Sequence, residues 1–314
     1  MDMTLVLQQM LILLIMIVIG YIAKKVKIIT SEGESTISKL TVNIALPALI
    51  LHSVFTGPEV EDKSVLSVVF ISALAFYLFS FVFSKIVVLI FRVDKSKRGS
   101  YECMLGFGNI SFMGIPVLRA VFPAQQETAV LYQSIFVIFF HLFIFTYGIY
   151  LLARDGKSGK KLNFSAKNFL NMATITSIIA VVLYIFNVRP PEIINSALGS
   201  LGGITTPLAM ILIGSSLASY PLLNMFKHLR NYGLTLLKLV VIPGIVWIVS
   251  KYLIDDFLVR GVLTIISAMP VATLTIMLSN QYGGDKEFIP QGVFMTTVCS
   301  VVTIPLATYV LFNF

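Results

Sequence analysis

Charge is what this chain has least of. Only 12% of its 314 residues are Asp, Glu, Lys or Arg, where a soluble domain carries roughly 25%. Hydrophobic residues make up 57% and mean hydropathy is +0.92. The deficit excludes a water-facing surface and predicts a chain whose solvent is lipid. Its fifteen Asp and Glu fall in loops or near the ends of apolar runs. That leaves none of the intramembrane carboxylates that serve many proton and sodium antiporters as ion sites. Cysteine is nearly missing too. Cys103 and Cys299 stand alone in apolar runs, as small core hydrophobes do, so no disulfide framework is implied. There is no His-x-x-x-His, no cysteine pair at metal spacing and no carboxylate pair. Gly156-Lys157-Ser158 resembles the end of a nucleotide-binding loop, but Leu151 stands where that loop needs glycine. We therefore expect no metal, no cofactor and no enzymatic activity. The net charge of +8 is scattered over short loops rather than gathered on one face, so no nucleic-acid partner is expected.

What is abundant is long apolar runs. A helix needs about 20 mostly apolar residues to span a membrane. Ten segments meet that measure: about 4–23, 36–55, 64–91, 101–122, 128–152, 168–187, 193–219, 231–252, 258–280 and 288–312. The first is preceded by no Lys or Arg, and its basic cluster Lys24, Lys25, Lys27 follows it. That order reads as a spanning helix rather than a cleavable leader. With the N-terminus outside, inner loops hold fifteen Lys and Arg. Outer loops hold five: Lys63, Arg119, Arg189, Lys251 and Arg260. The bias places both termini outside a cell membrane. The basic stretch 153–167 reads as a cytoplasmic linker between a first repeat, 1–152, and a second, 168–314. Five spans per half is an odd number, so the second half enters the membrane inverted.

Proline supplies the second pattern. Pro47 and Pro116 lie in the second and fourth segments, 69 residues apart; Pro207 and Pro270 lie in the seventh and ninth, 63 apart. Proline removes a backbone donor and clashes with the preceding turn, so each proline interrupts or kinks its helix. Freed backbone groups in lipid need a polar cavity or protein around them. Paired interrupted helices in two inverted halves point to a ligand site at the membrane midplane. The fold expected is all-α and integral to the membrane. It has ten transmembrane helices as an inverted 5+5 repeat, with broken helices 4 and 9 crossing.

Gly106 to Pro116 packs three glycines, an Asn, a Ser and a Pro into one span. Small-residue helix packing would account for the glycines. An unwound stretch between two half-helices accounts for all of them. Asn109 and Ser111 then offer side-chain hydrogen bonds, and the half-helix near Pro116 offers free N–H groups and a positive dipole end that suits an anion. In the ninth segment Pro270 marks the break, and Thr273 and Thr275 bring hydroxyls. Threonine in a membrane helix also commonly bonds back to its own backbone. Asn43 on the second segment is a further candidate contact. His141, halfway along the fifth, could titrate near neutral pH and couple a proton or ion; the alternative is a packing histidine. Lys238 is expected to snorkel toward the cytoplasm; the alternative is a counter-charge for an anion.

The stretch Gly108-Asn109-Ile110-Ser111-Phe112-Met113-Gly114-Ile115-Pro116 resembles the fourth-helix motif of the auxin efflux carrier family, in its bacterial branch. Pro207-Leu208-Ala209-Met210 with Gly214 resembles the seventh-helix signature. Met269-Pro270-Val271-Ala272-Thr273, followed by Gln281-Tyr282-Gly283-Gly284-Asp285, resembles that of the ninth. The resemblance covers the whole chain and implies an inverted five-plus-five fold with crossed, broken helices. It implies export or exchange of small organic anions, auxin in plant members and malate or malonate in bacterial ones. It also implies a homodimer and an elevator-like movement of helices 3–5 and 8–10 against 1, 2, 6 and 7. Asn109 takes the substrate-binding asparagine's place. Leu274 stands where many bacterial relatives have asparagine, which favours a more apolar or less charged carboxylate.

Two functions remain in view. One is a secondary transporter that moves a small mono- or dicarboxylate by alternating access. The other is a membrane receptor or channel, with a sensing cavity or pore at the broken helices.

Overall fold

The computed structural model describes residues 3–56, 64–155, 172–219 and 229–313. They form α1 (Met3–Lys25), α2 (Ser31–Thr56), α3 (Ser64–Ile90), α4 (Arg98–Gly106), α5 (Ile115–Val121) and α6 (Pro123–Asp155). Then follow α7 (Met172–Ile185), α8 (Glu192–Ala218), α9 (Leu229–Leu253), α10 (Phe257–Ser267), α11 (Leu274–Tyr282) and α12 (Phe288–Asn313). Among the described residues there is no strand, only an isolated bridge. Six helices, α2, α3, α6, α8, α9 and α12, are long and apolar enough to cross a membrane. The expected linker 153–167 lies, beyond Asp155, outside the described residues.

Prolines shape these helices in one recurring way. Thr41–Ala45, Ile110–Gly114 and Leu237–Val241 are wide turns, and Pro47, Pro116 and Pro243 each follow two residues after one. A proline in regular helix leaves one carbonyl without a donor and presses its ring on the turn before. One extra residue in that turn makes room for the ring. Pro47 thus bends α2 without interrupting it. The fourth wide turn, Ile144–Gly148 in α6, has no proline after it.

The fourth and ninth segments are interrupted outright. Phe107 to Asn109 separates α4 from the turn leading into α5, and Ala268 to Thr273 separates α10 from α11. The two extended stretches cross and pair antiparallel at Gly108 and Val271. The Asn109 N–H donates to the Pro270 carbonyl at 2.7 Å, and the Ala272 N–H to the Phe107 carbonyl at 3.1 Å. The Val271 N–H, which the pairing leaves over, donates to Thr296 Oγ1 of α12 at 3.1 Å. So non-helical backbone sits deep in an apolar structure with its donors met by protein, as burial away from water demands.

Glycines permit the closest approaches. A methyl group at Gly214 on α8 would lie 1.8 Å from the Ile17 carbonyl oxygen of α1, and one at Gly20 would lie 2.2 Å from that of Ile211. These two helices therefore meet backbone to backbone. At one end of the molecule a polar cluster ties α4, α6 and α12 together. Asp155 accepts from the Gly99 and Ser100 N–H groups at the start of α4, Glu102 pairs with Arg154 at 2.8 Å, and Lys97 pairs with Asp285 at 2.9 Å.

Candidate functional site

A cavity of about 500 Å³ opens beside the crossing. One wall is α2 from Ser31 to Leu46, roughly 22 Å of helix, so the cavity runs from a helix end to the crossing. The others are Asn109 and Phe112 before α5, Phe140, His141 and Phe145 of α6, Ala209 to Ser216 on α8, and Ala272 to Met277 entering α11. Phe112 belongs to the turn that starts the second half of the fourth segment, and Thr273 and Leu274 start that of the ninth. The first N–H groups of a helix have no partner within it, and that end carries the positive pole. Two such ends meet at this cavity.

Asn109 occupies the focus. Its backbone is fixed by the bond to Pro270, its side chain is 2% exposed, and Nδ2 has no hydrogen-bond partner. Buried polar groups are nearly always satisfied, so an orphan donor facing a cavity needs an explanation. His141, which lines the same cavity, also has an Nδ1 without a partner. The ring is stacked against Phe145 with centroids 5.9 Å apart. Gln133 of α6 braces the turn beneath, donating through Nε2 to the Ile110 carbonyl. Gly114 leaves room for it, since a methyl group there would lie 2.7 Å from Nε2.

Of the residues singled out in the sequence, Asn109, Asn43, Thr273 and His141 line this one cavity. Pro116, Pro270 and Thr275 do not. Pro116 is buried in the first turn of α5, and Pro270 spends its carbonyl on Asn109. The Thr275 hydroxyl bonds back to the Ala272 carbonyl of its own helix. The side chain of Ser111 lies outside those described.

Lys238 corrects the expectation of snorkelling. It is 1% exposed, and its ammonium donates to the Leu105 carbonyl at 2.9 Å. It caps the negative end of α4, where last-turn carbonyls are orphaned by the break. A methyl group at Gly108 would lie 3.6 Å from it, so it stands directly behind the crossing. The missed signal was position. Lys238 lies only nine residues past the start of α9, which reads as an end, yet it sits in the wide turn Leu237–Val241, packed against the break.

Residues 5–308 match the family model described as membrane transport protein. The chain belongs to this family. It is multi-pass and embedded in a membrane, as the family's other members are. An uncharacterized transporter of Methanocaldococcus jannaschii is 26% identical over 314 residues, covering 96% of this chain and 98% of its own. One of Methanothermobacter thermautotrophicus is 26% identical over 307 residues, at 95% and 96% coverage. A protein of Rhizobium meliloti provisionally named a malonate transporter is 23% identical over 304 residues, at 94% and 92%. The expected likeness to auxin efflux carriers is thus met at the level of the family.

Proposed function

We propose that this chain is a secondary transporter that carries a small organic anion across the cell membrane by alternating access, with the anion's carboxylate bound at Asn109. The observation that carries the reading is the buried, orphan Nδ2 of Asn109, a residue that lines the cavity where two helix N-terminal ends converge. A carboxylate accepting from that amide and from first-turn N–H groups is stabilised by oriented dipoles. Among the described residues no carboxylate competes for them there: Glu34, at the far end of the cavity wall, is paired with Lys24 at 2.6 Å.

The remaining walls select the rest of the substrate. Ser31 to Lys39 with Asn43 and Ser216 form the polar part of α2 and α8, while around Asn109 the side chains of Phe112, Phe140, Phe145, Leu46, Leu212 and Leu274 are apolar. A second carboxylate placed against them would lose its hydration without gaining a partner. A monocarboxylate with an apolar body fits better than a dicarboxylate such as malonate. The architecture we carry forward is ten spans in an inverted 5+5 arrangement with both termini outside, working as a homodimer. The mouth of the cavity, at Ser31 to Lys39, then opens to the cytoplasm.

The test is uptake into proteoliposomes of 3-phenylpropionate and of malonate. We expect saturable uptake, faster for 3-phenylpropionate, and at least a tenfold loss in Asn109→Ala. Unchanged uptake in that variant would remove Asn109 from the site, and non-saturable flux at channel rates would replace transport by conduction.

A further inference from the structure

Asn109 offers a hydrogen bond but no charge, so an anion drawn into this cavity still brings an uncompensated charge into the hydrocarbon layer, which is costly. One titratable ring is placed to compensate it. His141 is 6% exposed, lines the cavity wall and presents an unpartnered Nδ1. The Val137 carbonyl one turn back lies near the ring but outside hydrogen-bond geometry with Nδ1.

Apart from Lys39, which lines the cavity on α2, the following charged groups of the surrounding elements are engaged elsewhere. On α2, Glu34 pairs with Lys24, and Lys39 lies nearer the mouth. Arg119 of α5 pairs with Glu127, Glu102 of α4 with Arg154, and Asp155 caps α4. Lys85 of α3 sits over the Tyr147 ring at 5.7 Å. Tyr184 of α7 and Asp256 before α10 act on Tyr132, about 13 Å along α6 from His141. Lys238 of α9 is bonded behind the crossing and is not part of the cavity lining. Neither α8 nor α11 brings a charged side chain to the cavity.

We propose that His141 carries the proton that travels with the anion. The inference rests on the carboxylate reading of the cavity. The neutral imidazole takes one proton from water at the open mouth. Nδ1–H then donates to one carboxylate oxygen and Asn109 Nδ2–H to the other. The bound pair is electrically neutral and crosses without a net charge. On the far side the carboxylate leaves, the ring releases its proton to water, and the neutral imidazole returns. One anion and one proton move in the same direction per cycle.

The test uses the purified full chain in proteoliposomes that enclose a pH-sensitive dye, with labelled 3-phenylpropionate and malonate as probes and protein-free vesicles subtracted. Wild-type uptake should acidify the interior and rise about tenfold between pH 8 and pH 6, as the proton that accompanies each anion becomes more available outside. His141→Gln, which keeps a donor but cannot titrate, should lose the acidification, and its residual uptake should be flat with pH. Thermal unfolding of the variant checks that it is folded; if it is not, the wild-type proton count and pH profile decide alone. Wild-type uptake without acidification, or acidification retained in a folded His141→Gln, overturns the inference and leaves the carboxylate site standing. No wild-type uptake of either probe overturns the carboxylate reading, and this inference with it.

Discussion

The ammonium of Lys238 donates to the carbonyl of Leu105 across 2.9 Å, with both groups buried. A broken membrane helix exposes two poles, and this lysine satisfies the negative one at the back of the crossing. The turn leading into α5 and the start of α11 lie at the cavity instead. Lys238→Met keeps the volume but strands the Leu105 carbonyl, a loss of about 1–3 kcal/mol for an unsatisfied buried group. The melting temperature in detergent should fall in Met but recover in part in Lys238→Arg, which can still donate. An undisturbed melting temperature in Met would show that the carbonyl finds another donor.

Thr296 has the same duty on the other side of the crossing. Its hydroxyl accepts the Val271 N–H and itself donates to the Gly292 carbonyl at 2.7 Å. Thr296→Val is close in shape and removes both bonds. Stability should drop by about 1–3 kcal/mol, read from thermal unfolding, and amide exchange at Val271 should accelerate.

Gly214 tests the backbone contact between α1 and α8. An added methyl group would lie 1.8 Å from the Ile17 carbonyl, a position only a displaced helix can accommodate. Gly214→Ala should destabilise by about 1–3 kcal/mol, the usual penalty of overpacking. Gly233→Ala is the control, since a methyl group there meets nothing within 4 Å; its melting temperature should stay at the wild-type value or rise slightly.

Asp285 gives a pH dependence with a definite sign. Burial alone would raise its carboxyl, but the bond to Lys97 and the N–H groups of Phe288 and Glu287 hold it below the usual 3.8. A carboxyl depressed on folding contributes stability above its unfolded value and loses it as pH falls through the folded one. Wild-type melting temperature should therefore drop as pH is lowered from about 5 toward 3, and Asp285→Asn should start lower and drop less. Equal slopes would mean that the ion pair contributes nothing.

Much of this was legible from residues alone. The deficit of charge and the apolar runs located the helices within a few residues, because lipid imposes a length and a composition on each span. Pro116 and Pro270 located the breaks, because a ring without an N–H strains a regular helix, although Pro47 shows that a wide turn can absorb the same strain. Periodicity carries no information on what a break's orphaned groups bond to. Lys238 therefore read as an end-of-helix residue, and Thr275 as a candidate when its hydroxyl is tied to its own turn. Asn109 and His141 stand 32 positions apart, and only the folded packing of α6 against the crossing brings both to one cavity. Pro243 and the wide turn before it, midway along α9, were not singled out, since Pro243 has no matching proline in the other half.

Equilibrium binding of labelled 3-phenylpropionate to the purified protein tests the central claim most directly, because it separates the site from the transport cycle. Wild type should bind saturably, and Asn109→Ala, folded by its melting curve, should bind at least tenfold more weakly. Equal affinity in the two proteins would contradict an anion held at the crossing.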